Sequence, residues 1–77
     1  MTDTLQSLLV LTPADRAKLI RARKQLNLTQ QAAATKAGLS QPFWANVETG
    51  SRNPSWLMLG RMCRVIGLEL RHIIAKR

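Results

Sequence analysis

The sequence has few of the residues from which catalytic and metal sites are built. It contains one cysteine (Cys63), one histidine (His72) and four acidic residues among 77. A single cysteine cannot form an internal disulfide, and these two side chains do not make a zinc cluster. No Ser/His/Asp, Cys/His or paired-carboxylate set can be assembled, and no glycine-rich phosphate loop is present. We therefore expect a protein that is not an enzyme and that binds no metal or cofactor.

The sequence also lacks long apolar runs. Nothing approaches the roughly 20 apolar residues that span a bilayer. The run LQSLLVL at residues 5–11 is short and has neither the basic region nor the cleavage site of a signal peptide. We therefore expect a soluble, cytoplasmic protein that contacts no membrane.

Positive charge is what the sequence has in excess. Twelve Lys and Arg residues against four Asp and Glu residues give a formal net charge of +8. The basic residues are spread along the chain, which assigns the charge to a folded surface and not to a basic tail. Such a surface is suited to bind a polyanion. The alternative is a solvated basic face with no ligand.

Helix start and stop residues recur at close intervals and predict four helices. Each predicted helix follows a Ser or Thr that can cap its first turn, and each ends at an Asn or Gly that readily adopts a left-handed backbone. The caps are Thr12, Thr29, Ser40 and Ser55, and the stop residues are Asn27, Gly38, Gly50 and Gly67. The second and third helices meet across the short turn AGLS, which is the spacing of a helix-turn-helix. Gly60 inside the fourth helix costs about 1 kcal/mol relative to alanine, which indicates close packing.

The C-terminal segment LELRHIIAKR, residues 68–77, is compatible with a strand or a helix. Alternation puts the even-numbered residues from Leu68 to Ile74 on one side of a strand, whereas helical spacing pairs Leu70 with Ile73. We favour a short strand that pairs with its twofold copy, because a second subunit would enlarge the small core of the domain. The predicted dimer interface consists of the apolar residues Trp56, Leu57, Leu68, Leu70 and Ile74.

Several spaced motifs, taken in order, resemble the Cro/CI-type (XRE family) helix-turn-helix domain of phage repressors and small bacterial regulators. They are LTQQ at the start of the second helix, AGLSQ at the turn, VETGSRNPS after the third helix and IGLEL at the end of the fourth. The resemblance covers about residues 19–70. It implies an all-α, lambda-repressor-like bundle of four to five helices. Residues 1–11 would form an N-terminal lead, 12–67 the helix-turn-helix domain and 68–77 a dimerisation segment.

The resemblance also implies that the third helix enters the major groove of DNA. Helical geometry agrees, since it turns Trp44 and Val47 inward and the amides outward. An Asn or Gln amide can bond to N6 and N7 of adenine, although each could equally be a solvated surface group. The predicted base-contacting residues are Gln41, Pro42, Phe43 and Asn46, and the predicted phosphate-contacting residues are Gln30, Ser40, Arg52 and Asn53.

The resemblance also bears on Phe43 and on the residues Arg23 and Glu48. Phe43 stands where the family usually has a small or polar residue, and an aromatic side chain there could pack on a thymine methyl group or on sugar. Arg23 and Glu48 match a family arginine and glutamate that pair with each other. We expect a partly buried structural ion pair, with two independent surface charges as the alternative.

The function implied is that of a dimeric, sequence-specific transcriptional repressor whose operator is an inverted repeat. The lead LTPAD and the terminal GLEL resemble HipB-type antitoxins, which repress their own promoter and bind a toxin protein. A stand-alone phage or chromosomal regulator is the alternative within the family. A protein-binding adaptor without a DNA role fits the size but not the charge, and an RNA-acting toxin fits the charge but lacks catalytic residues.

Overall fold

The computed structural model describes residues 9–74, and five α-helices account for most of them. They are α1 (Pro13–Gln25), α2 (Gln30–Ala37), α3 (Gln41–Thr49), α4 (Trp56–Ile66) and α5 (Leu70–Ile74). The predicted all-α bundle is therefore confirmed. Parts of the predicted lead (residues 1–8) and of the predicted dimerisation segment (residues 75–77) lie outside the described residues. None of the described helices is long and apolar enough to cross a lipid bilayer.

The first four helices begin at the caps that the sequence predicts. The side-chain oxygens of Thr12, Thr29, Ser40 and Ser55 each accept a hydrogen bond from the backbone N–H three residues further on. At Thr12 the arrangement is reciprocal, because its own N–H donates to the carboxylate of Asp15 at 3.0 Å. These bonds satisfy backbone donors that the first helical turn leaves unpaired, so local sequence sets where each helix starts.

The predicted stop residues are also in place. Asn27 has a φ of 57°, and the glycines that follow α2, α3 and α4 have φ angles of 70°, 88° and 75°. At Gly50 a Cβ atom would also lie 2.9 Å from the guanidinium carbon of Arg16, so the end of that side chain would have to shift. At Gly60 the expectation of close packing is not met, because a Cβ atom would contact only Leu70, at an ordinary 3.8 Å.

The core lies between the first four helices, with Trp44 fully buried. Its other fully or almost fully buried apolar side chains include Leu19, Ala33, Ala34, Val47, Leu59, Met62 and Cys63. Burial raises the pKa of the Cys63 thiol to about 11. The chain ahead of α1 joins this core as well, since Leu9 and Leu11 are buried and the Leu9 N–H donates to the Pro54 carbonyl at 2.9 Å.

The prediction of a C-terminal strand is wrong over residues 70–74, which form α5. The His72 N–H donates to the Glu69 carbonyl at 2.9 Å, and the Glu69 N–H donates back to Nδ1 of His72 at 3.2 Å. Helical geometry brings Ile73 into the core at 1% exposure, and Lys18 Nζ ties α1 to the His72 carbonyl. A single strand would leave its backbone groups unpaired, whereas the helix pairs them within the segment and buries an apolar side chain.

Candidate nucleic-acid interface

Helix α3 has one face in the core and one face directed outward. Trp44 and Val47 are fully buried, while Pro42, Asn46 and Thr49 are exposed. Gln41 and Phe43 are half-buried at the edge of the exposed side. We refer to Gln41, Pro42, Phe43, Asn46 and Thr49 as the outward face of α3. It contains every residue for which the sequence predicts a base contact.

A buried carboxylate, that of Glu48, lies behind this face and accepts hydrogen bonds from three side chains. Arg23 donates from Nε at 2.7 Å and from Nη2 at 3.1 Å. Gln30 donates from Nε2 at 2.9 Å, and Trp44 from its indole Nε1 at 2.6 Å. We call these four residues the Glu48 cluster. Because its members come from α1, α2 and α3, the cluster fixes the position of α3 against both other helices.

The electrostatics of the cluster favour an ionised Glu48. Burial by itself raises the pKa of this carboxyl group, but the hydrogen bonds from Arg23, Gln30 and Trp44 and the positive charge of Arg23 outweigh that effect. The pKa of Glu48 therefore lies below its ordinary value. The remaining Arg23 nitrogen, Nη1, donates to the Leu28 carbonyl at 2.7 Å, so the guanidinium also holds the turn between α1 and α2.

Hydrogen bonds extend from the Glu48 cluster to the outward face. Gln41 Nε2 donates to Gln30 Oε1 at 3.0 Å, while Gln30 Nε2 donates to Glu48. An ionised carboxylate only accepts, so the amide nitrogen of Gln30 must face it and the amide oxygen must face Gln41. The same reasoning turns the Gln41 nitrogen toward Gln30. Gln41 is left with its carbonyl oxygen and one N–H.

The residues predicted to contact phosphate lie around this face. Ser40 Oγ caps α3 and Gln30 is the first residue of α2. Asn53 is half-buried, whereas Arg52 is exposed in the loop after α3. The Arg52 guanidinium lies over the Phe43 ring, 5.0 Å from its centroid. The sequence did not predict this contact.

Most of the predicted dimer residues line one groove. Trp56, Leu57, Leu68 and Leu70 border a depression of about 600 Å³ between α4 and α5. We call it the α4–α5 groove. Leu57 is 39% exposed, as few large apolar side chains are among the described residues. The side chain of Ile74 lies outside the described residues.

The fold and the α2–turn–α3 unit define a helix-turn-helix protein. Residues 14–72 match the family described as "Helix-turn-helix domain", and the chain belongs to that family.

Two curated relatives are similar over most of this chain. The uncharacterized HTH-type transcriptional regulator YqaE of Bacillus subtilis (strain 168) is 34% identical over 56 residues, which are 73% of this chain and 48% of the relative. The uncharacterized HTH-type transcriptional regulator y4dJ of Sinorhizobium fredii (strain NBRC 101917 / NGR234) is 31% identical over 49 residues, 64% of each chain. This chain therefore spans about half of the first relative and just under two thirds of the second.

Proposed function

We propose that this chain is a sequence-specific DNA-binding transcriptional regulator that places α3 in the major groove. The observation that carries the proposal is the oriented amide of Gln41, whose carbonyl oxygen and free N–H form a donor–acceptor pair at the edge of the outward face. That pair matches the N6 donor and N7 acceptor of adenine. Asn46 offers a second amide five residues, or about one and a half turns, further along α3. Family membership and the printed names of the two relatives support the same function.

The surface charge supports a nucleic-acid partner. In residues 9–74 the acidic side chains are Asp15, Glu48 and Glu69; the first two are buried and the third pairs with Arg71. Seven Lys and Arg side chains in the same range are exposed: Arg21, Lys24, Lys36, Arg52, Arg61, Arg64 and Arg71. The accessible surface is therefore mostly positive, which favours binding to phosphates and makes the affinity depend on salt.

With α3 in the major groove, the residues beside its outward face are placed to contact phosphates. Arg52 and Ser40 are exposed beside the outward face, and Asn53 follows in the same loop. Gln30 uses both ends of its amide inside the protein, so its contribution would come from its second N–H and from the backbone N–H at the start of α2.

The proposed active form is a dimer on an inverted repeat. A second copy of the chain would cover the α4–α5 groove and bury Leu57, while residues 12–67 would form the DNA-binding part and residues 68–77 would contribute to the interface. Of the predicted lead (residues 1–11), Leu9 and Leu11 are buried in the core of the domain. Two α3 helices about 34–36 Å apart would then read half-sites about 10 base pairs apart.

We further propose that the regulator is a cytoplasmic, nucleoid-associated repressor of its own operon and an antitoxin of the HipB type, which also binds a toxin protein. The resemblance of LTPAD and GLEL supports this reading. A stand-alone phage or chromosomal regulator is the second candidate, since the same outward face would serve both. A toxin gene beside this one, and co-purification of the two proteins, would favour the antitoxin.

A mobility-shift experiment tests the core of the proposal. Purified protein is titrated into duplex DNA from immediately upstream of its own gene and into a scrambled duplex of equal composition, at several salt concentrations. We expect tighter binding to the upstream DNA and affinities that fall steeply with salt for both duplexes. Equal affinity for the two duplexes would contradict specific recognition of the upstream DNA. Absence of binding to both would favour an adaptor without a DNA role.

A further inference from the structure

We propose that Phe43 and Arg52 act together as a reader of the 5-methyl group of thymine, with Arg52 bracing the Phe43 ring and meeting the flanking phosphate. This inference rests on the proposed function, because it assumes that α3 lies in the major groove. Besides the bases that the amides contact, the outward face would then bind a methylated pyrimidine and the phosphate next to it.

Phe43 is placed to contact a base edge. It is half-buried, so part of its ring packs against the core while the rest remains at the outward face of α3. Asn46 lies three residues later, which puts both side chains on the same side of the helix. Thymine is the base whose major-groove edge carries a methyl group, and an apolar side chain recognises it by contact. An aromatic ring next to an amide is therefore suited to a thymine beside the base that the amide contacts.

The loop after α3 holds Arg52 above this ring. The Arg52 N–H donates to the Asn46 carbonyl at 3.1 Å, and Thr49 Oγ1 donates to the same carbonyl at 3.2 Å. The Thr49 and Ser51 hydroxyl oxygens are 3.1 Å apart, which further ties the loop to the helix end. These contacts hold the backbone position from which the Arg52 side chain extends over the Phe43 ring.

The guanidinium of Arg52 keeps its hydrogen-bonding edge available. Within residues 9–74 the ion pairs are Arg23–Glu48 and Arg71–Glu69, and Arg52 has no carboxylate partner there. The guanidinium carbon lies over the Phe43 ring, and the N–H groups of a guanidinium lie in its own plane, where a phosphate can accept their hydrogen bonds. The two residues can therefore contact a methyl group and a backbone phosphate of the same nucleotide step.

The experiment uses thymine-to-uracil replacement, which removes only the methyl group. A binding site is first selected from random duplexes with the wild-type protein, and each thymine of the half-site is then replaced in turn. Dissociation constants are measured by fluorescence anisotropy for the wild type, Phe43→Ala and Arg52→Lys, with Asn46→Ala as the matched control on the same face.

At one thymine we expect the replacement to weaken wild-type binding about fourfold, the value of one apolar group of this size leaving water. Phe43→Ala should bind the thymine and uracil duplexes equally, while Asn46→Ala should keep the full difference. Arg52→Lys retains the charge but stacks poorly, so it should reduce the thymine preference and leave the salt dependence unchanged.

Three results would overturn the inference. One is a wild-type protein indifferent to every uracil replacement, a result that requires no variant to fold. Another is an undiminished thymine preference in Phe43→Ala. The third is a full preference in Arg52→Lys, which would show that Arg52 does not brace the ring. Failure of the selection to enrich any site would instead remove the proposed function, and this inference with it.

Discussion

Trp44 and Glu48 lie one turn apart on α3 and are joined by a 2.6 Å hydrogen bond from the indole nitrogen to Oε2. The same oxygen accepts the bond from Nε of Arg23 at 2.7 Å. The largest aromatic side chain of the core therefore shares its hydrogen-bond acceptor with a buried charge. Removing the carboxylate would leave the indole donor and two guanidinium nitrogens of Arg23 without an acceptor, and the Arg23 charge without a counter-ion.

We expect Glu48→Ala to lower the free energy of unfolding by about 3 kcal/mol or more, because Arg23 would be buried and unpaired. Urea unfolding of Glu48→Ala, Arg23→Ala and the double variant gives the coupling energy between the two residues. Glu69→Ala is the matched control, since its pair with Arg71 is largely exposed and should contribute little. A coupling energy near zero for Arg23 and Glu48 would contradict the structural role.

The pKa of Glu48 predicts how stability depends on acid. The folded-state pKa lies below the ordinary value of 4.5, so the unfolded chain binds this proton more readily. The contribution of Glu48 is therefore complete above the unfolded pKa and is lost as the pH falls through the folded pKa. We expect Glu48→Gln, which cannot titrate, to lose less stability than the wild type below about pH 5. Parallel acid curves for the two proteins would contradict this assignment.

Alanine substitutions at Gly60 and Gly50 should change the stability of the protein in opposite directions. Gly60→Ala should stabilise the protein by up to about 1 kcal/mol, because the site is inside α4 and the new Cβ meets Leu70 at only 3.8 Å. Gly50→Ala should destabilise it, since φ is 88° and the Cβ would lie 2.9 Å from Arg16. At Gly38 φ is 70° but nothing lies within 4 Å of an added Cβ atom. Gly38→Ala therefore measures the cost of the left-handed backbone without a steric contact. Thermal melts give the order, and a destabilised Gly60→Ala would contradict it.

The amides of Gln41 and Asn46 should determine which DNA sequence the protein prefers. We expect Gln41→Ala and Asn46→Ala each to weaken binding to the selected site by about 1–3 kcal/mol and to leave binding to a scrambled duplex almost unchanged. Gln30→Met keeps the size of the side chain but breaks the chain of bonds from Glu48 to Gln41. It should therefore relax the base preference only at the position that Gln41→Ala affects. Equal losses on both duplexes would assign these residues to phosphate contacts.

The proposed dimer can be tested by a single charge in the α4–α5 groove. Leu57→Glu should shift the protein toward monomer in sedimentation experiments and lower its operator affinity, because a second copy would have to bury the charge. Leu26→Glu is the control, since Leu26 is 51% exposed and does not line the groove. Deleting residues 68–77 would be a poorer test, because it removes Ile73 from the core. An unchanged dimer in Leu57→Glu would place the interface elsewhere.

Features set by neighbouring residues could be predicted from the sequence. The caps at Thr12 and Ser40 and the left-handed position at Asn27 depend on bonds within a few residues, so local chemistry determines them. The strand prediction is wrong over residues 70–74 because period-two and helical spacing both fit that sequence. The burial of Ile73 against the rest of the domain decides between them, and that information is not local.

The contacts of the candidate interface could be predicted from the sequence only in part. The bond between Trp44 and Glu48 was missed although the residues are four apart on one helix, a spacing that brings side chains together. The bond from Gln41 to Gln30 spans 11 residues and that from Gln30 to Glu48 spans 18. These contacts exist only once α2 and α3 are packed, as does the stacking of Arg52 on Phe43, so sequence patterns could name the residues but not their partners.

The rate at which Cys63 is alkylated can report local opening of the fold. Cys63 is 2% exposed and burial raises the pKa of its thiol to about 11, so in the native fold at pH 8 the thiol is in its unreactive protonated form in nearly all molecules. Alkylation by a neutral reagent should therefore proceed mainly through molecules in which α4 has opened. The labelling rate, followed by mass spectrometry, would report the opening equilibrium without any engineered probe. Since Cys63 also borders the α4–α5 groove, slower labelling at higher protein concentration would signal that a second copy closes over it.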